Sequence, residues 1–202
     1  MPGSGFPWEQ KTPPNFMRIP IPDGCEKINV LMSGGVDSTL LLFLLMKERH
    51  LTKRFVPVKC FAMQPFNDAY KNTIQWISQY FQEEIQHQII PKFFIRDAVS
   101  NILLIDPGHV YSGCNLVLEN EFTPTVYLRG DTPPIRGPAH SELHVRPFID
   151  LGKDVLTKEY ENQGIIDLFK LTVSCGVPDG PCHGCYFCLE RQWGIDKSGI
   201  LL

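Results

Sequence analysis

A glycine pair set between two apolar runs constrains this chain more than any other feature. Lys27-Ile28-Asn29-Val30-Leu31-Met32 ends at Ser33-Gly34-Gly35, and Ser38 to Arg49 follows as a run of strong helix formers closed by Lys47 and Arg49. A short apolar run bounded by glycines has the pattern of a buried parallel strand. Basic residues in the last turn suit the negative end of a helix dipole. The apolar positions of that helix go almost all round, so it is predicted to be buried on more than one side.

The same alternation continues. Arg54–Met63 is predicted as a second strand, Asn67–Phe81 as a helix with Ile74, Ile77 and Phe81 on one face, and Ile85–Ile90 and Val110–Tyr111 as further strands. Leu116–Glu121 is ambiguous. Thr125–Leu128 reads as a strand, Thr132–His140 as a proline-rich loop, Val145–Ile149 as a strand or extended link, and Lys153–Gln163 as a helix. Strands alternating with helices predict an α/β fold with a Rossmann-like parallel sheet and flanking helices. Ahead of it, residues 1–26 form a proline-rich arm that blocks regular structure. Phe6, Trp8 and Phe16 give that arm groups able to dock on the domain. The expected organisation is this arm, a nucleotide-binding α/β domain over 27–170, and a metal-binding segment over 171–202.

In open α/β sheets ligands bind beyond the carboxyl ends of the strands, which is where Met32-Ser33-Gly34-Gly35-Val36-Asp37-Ser38-Thr39 lies. Adjacent glycines let the backbone turn tightly and approach a ligand closely. Ser33 and Ser38 add hydroxyls, and the start of the next helix adds N–H groups, so the loop is a candidate anion site. Asp37 is placed to hold Mg²⁺ or to cap the helix; the plainer alternative is a strand-to-helix turn with Ser33 or Asp37 as N-cap. The loop is not a Walker A sequence, since no Gly-Lys-Ser/Thr follows, and the Gly-x-Gly-x-x-Gly dinucleotide spacing is absent.

Four of the seven cysteines, Cys175, Cys182, Cys185 and Cys188, crowd together near the C-terminus among Gly176, Pro178, Gly180, Pro181 and Gly184. Looping backbone lets four sulfurs converge on one ion, and a closed four-sulfur Zn²⁺ site is structural because it leaves no open position. A [4Fe–4S] cluster, a redox Cys-x-x-Cys pair and coincidental core cysteines are the alternatives. His183 is assigned no ligand role. Cys25, Cys60 and Cys114 are scattered and read as small buried residues.

Composition excludes some classes. The longest apolar run, Leu40–Met46, is far short of the roughly 18–20 residues a membrane helix needs. MPGSGFPWEQK has no basic stretch followed by an apolar core, so a cytoplasmic protein with reduced thiols is expected. A net charge of −3 argues against nucleic acid as a direct substrate, whose binding relies on cationic contacts.

Ser-Gly-Gly-x-Asp-Ser between an apolar strand and an apolar helix resembles the pyrophosphate loop of the N-type ATP pyrophosphatases. Taken with Arg146-Pro147-Phe148-Ile149-Asp150-Leu151-Gly152-Lys153, Thr172-Val173-Ser174-Cys175 and Cys182-His183-Gly184-Cys185-Tyr186-Phe187-Cys188-Leu189-Glu190-Arg191, the chain resembles the 7-cyano-7-deazaguanine synthase family. The resemblance implies an adenine nucleotide alpha hydrolase-like fold and an ATP-dependent carbon–nitrogen ligase. ATP is cut between its α- and β-phosphates with Mg²⁺ and the loop holding pyrophosphate. The carboxylate of a 7-carboxy-7-deazaguanine is adenylated, ammonia converts it to an amide, and a second activation gives the nitrile of queuosine precursor synthesis. It implies Asp37, Ser38 and Lys153 as catalytic residues, with Lys153 reaching the phosphates; a solvated surface lysine is the alternative. It also implies one structural Zn²⁺ on the four cysteines, and a homodimer.

The middle of the chain departs from that family. Met63-Gln64-Pro65-Phe66-Asn67 replaces a Gln-Arg-His-type stretch, Gly113-Cys114-Asn115 lacks the arginine of a Gly-Arg-Asn turn, and Leu128-Arg129-Gly130-Asp131 stands where a tyrosine- and aspartate-rich segment is expected. Arg129 and Asp131 are candidate substrate residues, with a surface ion pair as the alternative. A related enzyme acting on another carboxylate or on tRNA stays open, as does an inactive nucleotide-binding partner subunit.

Overall fold

The computed structural model describes residues 17–63, 68–91, 95–114, 142–175 and 181–202. The aromatic residues of the arm, Leu116–Glu121, Thr125–Leu128, Arg129, Asp131 and the proline-rich loop lie outside these.

Five strands form one parallel sheet: β1 (Ile28–Met32), β2 (Val58–Met63), β3 (Gln86–Ile90), β4 (His109–Ser112) and β5 (His144–Val145), in the order β3-β2-β1-β4-β5. The helices are α1 (Val36–Thr52), α2 (Ala69–Phe81), α3 (Ile95–Ile105), α4 (Lys153–Asn162), α5 (Ile166–Leu171) and α6 (Tyr186–Ser198). The α/β fold expected from the alternating pattern is the one observed.

The period-two alternation of a strand sends its side chains to two different layers. Leu31, Phe61 and Val110 pack with Ala98, Val99 and Ile102 of α3 on one face of the sheet. Ile28, Val30, Met32, Cys60, Ala62 and Tyr111 pack on the other face into a larger core with α1, α2, α4 and α5. All five residues of β1 are buried, as a central strand covered on both faces requires. Helix α1 is buried from Ser38 through Arg49, which explains its nearly continuous apolar run. Its buried basic residues Lys47 and Arg49 are paired: Lys47 donates to Gln163 (2.6 Å), and Arg49 donates to both carboxylate oxygens of Glu83 (3.0 Å each). The described part of the arm is anchored too. Ile19 and Ile21 are buried, the Met17 N–H donates to Glu159 (3.0 Å), and Arg18 pairs with Glu48 (2.6 Å).

Sequence reading found no helix over Ile95–Ile105, Ile166–Leu171 or Tyr186–Ser198, and all three are present. It also ran the second strand back to Arg54. In the fold, Arg54 instead closes the end of α1, its N–H donating to the Arg49 carbonyl (3.0 Å), and β2 starts only after Pro57. Of Val145–Ile149 only Val145 is in a strand, as the last residue of β5, and the chain then turns at Pro147–Asp150.

Strand order reverses direction between β1 and β4: the chain steps outward from β1 to β2 and β3, then returns to the other side of β1. A crevice opens at the carboxyl ends of the strands where the order reverses. The glycine loop after β1 and Gly113 after β4 both sit there.

Candidate phosphate site and four-cysteine cluster

The loop is cross-braced by its own serines. Ser33 and Ser38 hydroxyls are 3.0 Å apart; the Ser33 N–H donates to Ser38 Oγ (3.2 Å), and the Gly35 N–H donates to Ser33 Oγ (3.2 Å). Helix α1 starts at Val36 with Gly35 as its N-cap. Neither Ser33 nor Asp37 therefore occupies the capping position, and Asp37 lies in the first helical turn. A residue without a side chain at the N-cap leaves the positive end of the helix dipole uncovered by a cap of its own.

Gly34 adopts φ +76°, and a Cβ on it would lie 2.5 Å from the Tyr70 backbone nitrogen at the start of α2. Only glycine combines that backbone with that approach. From the other side, a Cβ on Gly113 would meet the Asp37 carbonyl carbon and Ser38 nitrogen at 2.7 Å. The loop is thus walled by two close backbone approaches, one from α2 and one from the end of β4. Next to Gly113, Ser112 Oγ lies 2.9 Å from His144 Nε2 and 3.5 Å from Cys114 Sγ, a buried polar string that sequence reading did not single out.

Asp37 and Lys153 are 116 positions apart in sequence and adjacent in the fold. Lys153 opens α4, and its Nζ donates to Asp37 Oδ1 (2.5 Å) and Oδ2 (2.7 Å). Lys153 is 4% exposed, so it is no solvated surface lysine. A second carboxylate, Glu190 Oε2 on α6, lies 3.2 Å from the same Nζ. Burial works against a charged amine, but Asp37 and then Glu190 overcome it and hold the Lys153 pKa above its ordinary value. Asp37 and Glu190 thus share one buried ammonium. Tyr160 fixes α4 against the loop, its hydroxyl donating to the Val36 carbonyl (2.6 Å).

Glu190 was read only as part of the closing Cys-Leu-Glu-Arg string. Its signal was position: a glutamate two residues beyond the last cysteine of a metal-type cluster. Gly194 was missed as well. A Cβ there would lie 2.7 Å from Lys153 Cγ and 2.9 Å from Thr157 Oγ1, so a glycine lets α6 approach α4 and brings Glu190 to Lys153.

The ligand atoms of Cys175, Cys182, Cys185 and Cys188 all lie within 4.8 Å of one another, with Cys175 and Cys185 sulfurs 4.0 Å apart. Cys175, Cys185 and Cys188 are buried, and Cys182 is partly exposed. Cys185 caps α6 and Cys188 sits in its first turn. Backbone N–H groups, that of Gly184 foremost, draw the Cys182 thiol down to about 6, while burial pushes Cys188 up to about 12. The sulfurs of a tetrahedral site with bonds of about 2.3 Å stand roughly 3.8 Å apart. The four donors therefore fit a single metal ion after slight contraction. Cys25, Cys60 and Cys114 are free and buried.

Among the described residues no helix is long and apolar enough to cross a membrane. No protein-family model matches the chain, and no curated protein matches it. Solved structures similar to it include an NH3-dependent NAD synthetase from Campylobacter jejuni subsp. jejuni NCTC 11168 in complex with nitrate, 15% identical over 73% of this chain and 68% of that one, with a TM-score of 0.45. Another is an NMN synthetase from Francisella tularensis, 13% identical over 89% of this chain and 79% of that one, with a TM-score of 0.46. Likeness at this level bears on neither activity nor substrate.

Proposed function

We propose that this chain is an ATP-dependent adenylating ligase that cleaves ATP between the α- and β-phosphates. The observation that carries the proposal is the meeting of Asp37 and Lys153 at the mouth of the Ser33–Ser38 loop, in the crevice where strand order reverses. Backbone N–H groups at the start of α1 and the two serine hydroxyls face the departing pyrophosphate. Lys153 supplies positive charge to it. Asp37 and Ser38 are the residues to hold Mg²⁺, which neutralises charge on the phosphates when bound.

In the first half-reaction an acceptor carboxylate oxygen attacks the α-phosphorus, the bond to the β-phosphate oxygen breaks, and pyrophosphate leaves with that electron pair. Ammonia then adds to the acyl carbon, AMP leaves, and the ammonium nitrogen loses its proton to give an amide. The acceptor proposed from the sequence resemblance is 7-carboxy-7-deazaguanine. Its amide oxygen is adenylated in turn, and loss of AMP and protons leaves the nitrile.

The four cysteines hold one Zn²⁺ in this proposal. The ligands of an iron–sulfur cubane sit on four separate irons and stand farther apart than 4.8 Å, so the compact sulfur set favours one ion. The departure at Met63-Gln64-Pro65-Phe66-Asn67 favours one second reading: the same adenylation with a different carboxylate as acceptor. Arg129 and Asp131 remain proposed acceptor contacts, and self-association as a homodimer a proposed assembly.

The test is direct. Purified protein is incubated with ATP, Mg²⁺, ammonium and 7-carboxy-7-deazaguanine, and products are read by mass spectrometry. The nitrile should accumulate with AMP and pyrophosphate. Pyrophosphate release with other carboxylates but not with this one would move the assignment to the second reading.

A further inference from the structure

The four-cysteine segment touches the phosphate loop at one of its ends and the lysine that pairs with Asp37 at the other. On the N-terminal side, the Val173 N–H donates to the Gly34 carbonyl (2.9 Å), two residues before Cys175. On the C-terminal side, α6 carries Cys188 in its first turn and Glu190 two residues later, 3.2 Å from Lys153 Nζ. Glu190 is 4% exposed, and its other oxygen accepts from the Tyr186 hydroxyl (3.3 Å). Arg191 then ties α6 back to the first side, donating to the Thr172 carbonyl (2.9 Å) with its guanidinium 4.3 Å over the Phe169 ring. The contacts close a ring running Gly34, Val173, Cys175, the sulfur cluster, Cys188, Glu190, Lys153 and Asp37, and Asp37 lies three residues from Gly34.

We propose that Glu190 is a positioning residue of the phosphate site and that, through it, metal occupancy at the four cysteines sets the affinity for nucleotide phosphates. The proposal rests on the phosphate-loop and single-ion readings above. Its physical basis is the shared ammonium. Held by two carboxylates, Lys153 stays compensated in its buried position when Asp37 turns to a bound cation. With Glu190 removed, Lys153 loses its second carboxylate and leans on Asp37 alone of the two, so both are drawn away from the ligand. The position of Glu190 follows from where α6 begins, and α6 begins at a cysteine of the cluster. Metal and nucleotide therefore act on one element, and coupling of this kind is reciprocal: nucleotide must also hold the metal.

The experiment uses the full zinc-loaded chain and the isosteric variant Glu190→Gln, which keeps an oxygen for Tyr186. MgATP affinity is measured by calorimetry, and zinc affinity by equilibrium competition with the chelator 4-(2-pyridylazo)resorcinol with and without MgATP. The expected results are about tenfold weaker MgATP binding by E190Q at unchanged zinc content, and a zinc affinity raised about fivefold by MgATP in wild type but not in E190Q. A side chain that mattered for folding alone would not abolish the effect of MgATP on zinc affinity. Should E190Q fail to fold, the wild-type arm decides: zinc affinity indifferent to MgATP overturns the coupling. MgATP binding by E190Q within twofold of wild type overturns the role of Glu190. A wild-type chain that binds no MgATP overturns the phosphate reading, and one that carries no zinc overturns the metal reading, each separately visible and each removing this inference with it.

Discussion

Asp37 is held by a lysine 116 positions away in sequence, and what happens on its removal distinguishes chemistry from scaffolding. Asp37→Ala takes away one of two carboxylates around Lys153 and leaves Glu190, so the ammonium keeps a partner. Formation of AMP should fall by at least about 10²-fold. The fold should lose only about 1–2 kcal/mol, or roughly 2–8 °C in Tm, read by calorimetry. An Asp37→Ala variant that still formed AMP at wild-type rates would place the chemistry elsewhere. Gly34→Ala should behave oppositely. Its φ of +76° and the 2.5 Å approach of Tyr70 nitrogen combine backbone strain with a collision against another backbone, so stability should fall by about 2–4 kcal/mol in urea titrations. Residue identities were legible here because the loop is local: strand, two glycines, aspartate, serine and helix are contiguous. Glu190 was not legible, because its partner Lys153 stands 37 positions away and meets it only after α4 and α6 pack through Gly194.

Among elements, β1 could be read from a short, mostly apolar stretch ended by glycines, and α1 from the long apolar run Leu40–Met46 among strong helix formers. Helix α3 escaped because it buries a short stripe, Ala98, Val99 and Ile102, while Leu104 and Ile105 stay exposed. Helix α6 escaped for a different reason. Its buried positions are Tyr186, Cys188, Glu190 and Gly194, which make no apolar stripe at all; it is held by the cluster, the ion pair and a close backbone approach. The end of α3 is fastened to the sheet by charge. Asp106 pairs with Lys27 before β1 and with Lys59 in β2 (3.2 Å), and its carbonyl accepts from Asn29 (2.7 Å). Burial raises the Asp106 pKa, but the two lysines outweigh it and hold the carboxyl below its ordinary 3.8. A depressed carboxyl pKa means the folded state releases its proton more readily than the unfolded one. The resulting stability is complete above the ordinary value and is lost as pH falls through the folded one. Asp106→Asn should therefore cost about 1–3 kcal/mol at pH 7, with the difference from wild type shrinking in acid below pH 3.8. Equal urea midpoints for the two proteins at pH 7 would show that the pairs contribute nothing.

At the scale of the whole molecule, the sheet places one phosphate-type loop at its strand reversal, and the C-terminal segment returns to cover it. The α/β architecture followed from alternation of strands and helices alone, since parallel strands require crossovers. Where the tail docks could not follow from pattern, because it depends on one backbone hydrogen bond at Val173, one ion pair at Glu190 and four sulfurs drawn together. That dependence predicts how the molecule fails. Cys185→Ser opens the sulfur set at the start of α6, so zinc content should drop from about one per chain and stability should fall by at least about 3 kcal/mol, roughly 6–12 °C in Tm. Unchanged zinc content and melting in that variant would remove the four-sulfur site from the account. The central claim is the proposed cleavage of ATP between its α- and β-phosphates, and ³¹P NMR of ATP turnover with Mg²⁺, ammonium and the acceptor carboxylate reads it directly. AMP and inorganic pyrophosphate are the expected signals; ADP with inorganic phosphate would contradict it.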